Sequence, residues 1–196
     1  MFSLEDLLGQ QQGNEVVNQM SNNLGANNSA VSSAIQMALP MILSGLASRA
    51  AQPQGAQELN KALQQDHNGD ILNDLGGYVS NPNSNDGLGI LGHIFGGNQG
   101  AVAQQVSQNS GLNIGQTAQL LITLAPIIMG FLGKKQQQQG LDADGLSSLL
   151  QGQQQQMQSS GNPMMDMVSS FLDKNHDGSA MDDLATMASS YMQNRG

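Results

Sequence analysis

Cysteine and tryptophan are absent from this chain of 196 residues, and the aromatic side chains are limited to four Phe and two Tyr. Without cysteine there is no disulfide, and no thiolate is available for catalysis or for binding zinc. A hydrophobic core must therefore be filled by Leu, Ile, Val, Ala and Met, which the hydrophobic share of 38% allows. The length permits one larger domain or two small ones.

Charged side chains are also scarce, at 11% of residues, whereas Gln and Asn together number 45. Fifteen acidic and six basic residues give a net charge of −9. Such a chain repels nucleic-acid phosphates and lacks the Lys and Arg clusters that hold proteins on anionic membranes. The composition argues against nucleic acid and favours metal cations or basic partners.

The sequence also predicts no secretory signal and no membrane-spanning helix. The first residues, MFSLEDLLGQ, carry acids and no basic region, so we expect a cytoplasmic location. The longest apolar segment, Ala118–Leu132, is shorter than the roughly 18 residues of a span and contains Pro126. Membrane binding is therefore not expected. The alternative is an envelope- or membrane-associated protein that uses the apolar segments Leu39–Leu46 and Leu120–Leu132.

Internal similarity indicates a tandem duplication. AIQMALPMILSGL at Ala34–Leu46 lies over LLITLAPIIMGFL at Leu120–Leu132, so that Pro40 and Pro126 align. A second pair, LQQDHNGDILNDL and LDKNHDGSAMDDL, follows in the same order after an insertion in the second copy. We predict one helical repeat unit at 1–80, a linker at 81–87, and a second unit at 88–196 with a Gln-rich insertion at 134–160.

Hydrophobic periodicity predicts helices and no strands. In the first copy we expect helices at about Glu15–Asn23, Ser29–Arg49, Gly55–Leu63 and Ile71–Val79, with Ser29 as an N-cap and Pro40 as a kink. Because Ser29–Arg49 and Gln116–Gly133 are apolar nearly all round, they should pack at the centre. The expected fold is all-α, a compact helical bundle of two units related by a pseudo-twofold. The Gln runs at 136–139 and 153–156 predict a flexible loop.

One stretch near the C-terminus resembles a calcium-binding loop. Asp173–Leu184 reads DKNHDGSAMDDL, with oxygen-bearing residues at positions 1, 3 and 5 and Gly at position 6. Leu replaces the usual Glu at position 12, so we expect weak calcium binding, with Kd of roughly 10⁻⁵ to 10⁻³ M. The candidate ligands are Asp173, Asn175, Asp177, Ser179 and Asp183.

The same residues also fit a turn followed by a helix cap, because Ser179 and Asp182 have capping-box spacing. The corresponding loop in the first copy has Gln64 in place of the first aspartate. Its remaining polar residues, which we expect to keep the turn without an ion, are Asp66, Asn68, Asp70 and Asp74.

Other residues give no pattern typical of an enzyme. Gly87, Gly89 and Gly92 spell GxGxxG, but a nucleotide site needs a preceding strand and an acid about 20 residues on. We predict instead a helix start with small packing residues. The three histidines show no metalloprotease motif and no catalytic spacing. His67 and His176 fall in polar loops and are expected to be exposed.

Three segments resemble a bacterial family of unknown function, domain family 937: ILGHIFGG (Ile90–Gly97), LAPIIMGFLG (Leu124–Gly133) and DKNHDGSAMDDL (Asp173–Leu184). The resemblance implies a small helical bacterial protein, and it implies no substrate and no catalytic residue. The Gln-rich insertion and Gln64 depart from the pattern.

Taken with the residues themselves, this predicts a non-catalytic structural or interaction protein. We expect it to bind a protein partner or to self-associate, with calcium as the one expected cofactor.

Overall fold

The computed structural model describes residues 10–159, which are almost entirely helical and contain no strand, as the all-α prediction requires. The chain divides into two units after Gln156, and all but the last three of the described residues belong to the first. The α-helices are α1 (Gln10–Leu24), α2 (Asn28–Ala50), α3 (Pro53–Gln65), α4 (Leu75–Ser80), α5 (Ser84–Phe95), α6 (Gln99–Ser110), α7 (Ile114–Gln139) and α8 (Ala143–Ser159). Short 3₁₀ turns span Asp70–Asn73 and Gly96–Asn98.

Helices α2 and α7 form the centre of the bundle, as predicted. They pack on each other, and around them lie α1, α3, α5 and α6. They supply most of the largest fully buried side chains, including Ile35 and Ile42 from α2 and Leu124, Ile128 and Leu132 from α7. Burial of such side chains contributes about 1.5–3 kcal/mol each, so these two helices dominate the core.

The two central helices begin in the same way. Asn27 has an extended backbone, and its side-chain oxygen accepts a hydrogen bond from the amide of Ala30 at 2.8 Å. Asn113 does the same for Gln116 at 2.8 Å, and the Gln116 side chain bonds back to the Asn113 amide to complete a capping box. The prediction of Ser29 as N-cap was wrong. Its hydroxyl donates to Asn27 instead, because Asn27 already holds the extended cap conformation.

Each central helix continues through its proline. Because Pro126 has no N–H, it leaves the carbonyl of Ile122 without its helical donor. Gly87 of α5 lies directly against that carbonyl, and a β-carbon on Gly87 would collide with it. The absence of a side chain thus lets α5 approach α7 closely. The prediction that the GxGxxG glycines belong to a helix and pack holds for Gly87, whereas Gly89 lies in the helix but faces open space.

The Gln runs do not form a flexible loop, so that prediction was wrong. Gln136–Gln139 is the last turn of α7, and Gln153–Gln156 lies within α8. Their amides act as donors between helices: Gln136 donates to the Asn60 side chain on α3. Gln154 donates to the Ser44 hydroxyl on α2 at 3.1 Å. Gln is a good helix former, and here tertiary hydrogen bonds hold the helical conformation.

The expected helix at Ile71–Val79 is interrupted at Asp74. A 3₁₀ turn comes first, and α4 then starts after Asp74, whose carboxylate accepts a hydrogen bond from the amide of Gly77 at 2.9 Å. Asp74 lies outside helical φ and ψ, which makes it a cap rather than an interior residue. Asn83 caps α5, which begins at Ser84 and therefore inside the predicted linker at 81–87. The domain boundaries themselves stay a prediction.

Two of the described helices, Asn28–Ala50 and Ile114–Gln139, are long and apolar enough to cross a membrane, with a mean hydropathy of 1.5. Most of each apolar window is buried inside the bundle, 72% and 67% respectively. Core helices of soluble proteins have the same length and composition, so these features alone are weak evidence for a membrane location.

Candidate ligand-binding groove

The predicted calcium ligands lie outside the described residues. These are Asp173, Asn175, Asp177, Ser179 and Asp183. Within residues 10–159, no group of three or more His, Asp or Glu side chains is placed to hold a metal ion. The calcium site therefore stays a prediction.

The corresponding loop of the first copy uses its polar groups within the protein. Asn68 accepts a hydrogen bond from the Asp70 amide at 3.0 Å and donates to the Asp70 carboxylate at 2.7 Å. Asp74 caps α4. Gly69 between them has φ of 102°, a conformation that favours glycine. The loop is thus built as a turn and a cap.

A groove of about 420 Å³ runs between α3 and α5, with α2 and α7 beneath it. Gly89 of α5 faces open space at its edge, since a β-carbon there would meet nothing within 4 Å. Ligand pockets commonly enclose about 300–1,000 Å³ and have mostly apolar walls with a few polar groups. The apolar lining consists of Leu46, Leu59, Ala62, Ile90, Ile94 and Met129.

Helices α3 and α5 run in opposite directions along the groove. At one end, Gly55 in the first turn of α3 packs against the carbonyl of Arg49, at the end of α2. One turn earlier on α2, Gly45 packs against Ile94 at the end of α5. At the other end, His67 follows α3 and lies beside Asp86 in the first turn of α5. The groove therefore has two chemically distinct ends.

The Asp86 end is acidic. The imidazole Nε2 of His67 lies 3.6 Å from the Asp86 carboxylate, which keeps 35% of its side chain exposed. Asp66, the C-cap of α3, lines the groove beside them and is exposed. Burial, and secondly the negative charge of Asp86, raise the pKa of Tyr78 to about 12. Its phenol oxygen is buried and has no hydrogen-bond partner among the described residues.

The opposite end carries charges of both signs. Arg49 and His93 line it from the last turns of α2 and α5, and Glu58 lines it from α3. All three side chains belong to exposed residues. Their opposite charges offset each other in part, so this end has no strong preference for one sign.

The groove could not be predicted from the sequence because its lining comes from four helices and spans Leu46 to Met129. His67 was expected to be exposed, and this was wrong: only 9% of its side chain is accessible. Its carbonyl packs against Gly133 of α7, which holds the residue against the bundle. No sequence motif marks the groove, because the open space beside Gly89 is visible only in the structure.

The described residues define an all-α protein with an apolar groove between two antiparallel helices. The chain belongs to the bacterial protein family of unknown function DUF937, whose family model matches residues 6–135. The suspected family is thus confirmed, and ILGHIFGG and LAPIIMGFLG lie inside the match. The Asp173–Leu184 stretch lies after it. No curated protein and no solved structure matches the chain.

Proposed function

We propose that this chain is a non-catalytic helical interaction protein, and that the α3–α5 groove receives the apolar part of its partner. The carrying observation is the groove itself: a space of about 420 Å³ whose base is formed by buried Leu46 and Met129. Removing apolar surface of a partner from water in this space contributes about 25 cal/mol per Å², and the surplus over the entropy lost on association appears as affinity. No step of a reaction is assigned to the groove.

A neutral fluorescent probe tests the groove directly. N-phenyl-1-naphthylamine fluoresces in apolar surroundings, so we expect a saturable signal with the full chain. Gly89→Leu places a side chain at the edge of the groove, while Gly100→Leu makes the same change on α6, where a β-carbon also meets nothing within 4 Å. The first variant should lose the signal and the second should keep it. A signal that is absent from the wild type, or equal in both variants, contradicts the proposal.

We also propose that the bundle descends from duplication of one helical unit, with a pseudo-twofold between the copies. The support is that α2 and α7 share the Asn cap and carry proline at the same register. Reciprocal packing adds to this, because α2 contacts α6 while α7 contacts α1, the helix preceding α2. If the two units are equivalent, removing the Asn27 cap and removing the Asn113 cap should cost similar amounts of stability.

Calcium tuning through the C-terminal loop is the finer part of the proposal. Its support is the spacing of Asp173, Asn175 and Asp177 before Gly178. Calorimetric titration of the full chain should give saturable heat near one calcium per chain, lost in Asp177→Ala. Asp70→Ala in the first loop is the matched control and should leave the heat unchanged. Absence of heat up to millimolar calcium would remove calcium from the proposal.

Besides the occupant of the groove, we propose a protein partner, or a second copy of the chain, in the cytoplasm. Sedimentation velocity over a range of concentrations tests self-association, and cell fractionation tests the location. The alternative is an envelope-associated protein. Its support is the length and hydropathy of α2 and α7, and their burial within the bundle counts against it. Flotation with liposomes would favour the alternative, and no flotation would remove it.

A further inference from the structure

We infer that the groove binds a small amphipathic organic cation, whose apolar body lies over Leu59 and Ile90 and whose protonated amine lies between Asp66 and Asp86. This inference rests on the proposed function and names the chemistry of the ligand. Its basis is the combination of a half-open apolar groove with two ends of different charge.

The apolar middle sets the body of the ligand. Between the two ends, the groove is lined by Leu59 and Ala62 on α3 and by Gly89 and Ile90 on α5. The middle stretch itself has no charged lining residue, since Glu58, one residue before Leu59, belongs to the Arg49 end. A volume of about 420 Å³ suits one compact aliphatic or aromatic group, and it is small for a whole protein helix.

The acidic end sets the charge of the ligand. Asp66 and Asp86 line the groove there, and the only basic side chain lining that end is the His67 imidazole. The last turn of α3 contains no basic residue, so the negative end of its dipole adds to the two carboxylates. Asp70 and Asp74 lie on the following loop, and Lys134 of α7 approaches that loop at Gly69 and partly offsets them.

The groove as a whole therefore favours a cation over an anion. Its lining contains the carboxylates of Glu58, Asp66 and Asp86 against the single permanent cation of Arg49. An anionic head at the Arg49 end would also face Glu58, whereas an ammonium at the Asp86 end faces carboxylates, an imidazole and the uncharged amide of Asn85. Because Asp66 and Asp86 are at least partly exposed, the preference is moderate.

Competition between ligands of equal chain length tests the inference. Bound N-phenyl-1-naphthylamine is displaced by octylamine, octanol or octyl sulfate at neutral pH and low salt, below the concentrations at which micelles form. We expect octylamine to displace the probe at a concentration about tenfold lower than octyl sulfate, with octanol between them. Raising the salt concentration should shrink the difference, because it screens exposed charges.

Substitutions in the groove test which carboxylates cause the preference for octylamine. Asp66→Asn and, separately, Asp86→Asn should each reduce the advantage of octylamine severalfold, while probe binding itself persists. Asp144→Asn on the exposed face of α8 is the control and should change nothing. Asp86→Asn also removes the negative charge beside His67 and could prevent folding. In that case Asp66→Asn alone tests the inference.

The outcomes separate the two proposals. If the probe binds in the groove but octyl sulfate competes as well as octylamine, the cation is wrong and the interaction site stands. The cation is also wrong if none of the three ligands displaces the probe, since a larger occupant such as a protein segment would then be indicated. If the probe never binds, the proposed function fails first.

Discussion

Helices α2 and α7 both begin at an Asn cap, have similar lengths and carry a proline at the same position after the cap. Different neighbours, however, pack against their C-terminal halves. At aligned positions, α2 has Ser44 and Ala47 where α7 has Gly130 and Gly133. Ser44 receives a side-chain hydrogen bond from Gln154 of α8. Its counterpart Gly130 packs against the Ile71 side chain, and Gly133, the counterpart of Ala47, faces the backbone carbonyl of His67. Small residues stand at both registers, and the tightest approach is the one at Gly133, where backbone meets backbone.

We expect the greatest loss of stability when the close backbone contact on α7 is disrupted. In Gly133→Ala the new methyl group collides with the His67 carbonyl, and backbone has little freedom to move away. We expect a loss of about 3 kcal/mol in the free energy of unfolding, measured by urea denaturation. Gly152→Ala, at an open position on α8, should be neutral or stabilising by up to about 1 kcal/mol. Equal stability of the two variants would contradict the close approach.

A second pair of variants tests the contact made at the proline. Gly87→Ala should lose about 2 kcal/mol, because its methyl group would meet the Ile122 carbonyl that Pro126 leaves free. Gly89→Ala, two residues along the same helix, has open space and should gain up to about 1 kcal/mol from helix propensity. The comparison by thermal or urea denaturation fails if both variants shift in the same direction.

The two caps test the similarity of the central helices. Asn27→Ala and Asn113→Ala each remove one side-chain acceptor from a helix start, at a cost of about 1 kcal/mol. The Gln116 side chain still accepts from the backbone amide of residue 113 in Asn113→Ala, so the two losses should be about equal. Urea denaturation measures both. A negligible loss at one site with a full loss at the other would weaken the case for equivalent units.

The last prediction concerns the pH dependence of stability that Tyr78 contributes, and it is the smallest in size. Because the pKa of Tyr78 is raised from 10.0 to about 12, the folded protein holds this proton more tightly than the unfolded chain. The stabilising contribution is complete below pH 10 and is lost as pH rises from 10 through 12. Ultraviolet absorbance of the phenolate, compared with Tyr78→Phe, should show a midpoint near pH 12. Asp86→Asn should lower that midpoint, and a midpoint of 10 in the wild type would refute the burial of the phenol.

Sequence patterns predicted the features that local chemistry decides. The apolar character of α2 and α7 was enough to predict burial at the centre, and helix periodicity placed α1 to α3 within a few residues. Asp74 and Asn27 were less visible, because the periodic pattern runs on through a cap. The Gln runs were misread, since composition alone does not reveal the hydrogen bonds from Gln136 and Gln154 to other helices.

The groove depends on tertiary structure. Its base and walls combine residues from four helices, and only their packing brings Asp66 and Asp86 to the same groove. A one-dimensional motif search finds ligands that follow each other along the chain, which explains why it selected the Asp173–Leu184 loop instead. That loop and the groove are separate hypotheses, and calcium titration bears only on the first.

Heteronuclear NMR of the full chain during titration with N-phenyl-1-naphthylamine would locate the binding site residue by residue. We expect the largest amide shifts at Ala62, Gly89 and Ile90, and we expect Gly89→Leu to abolish them. Shifts concentrated elsewhere on the chain, or shifts that persist unchanged in Gly89→Leu, would show that the α3–α5 groove is not the binding site.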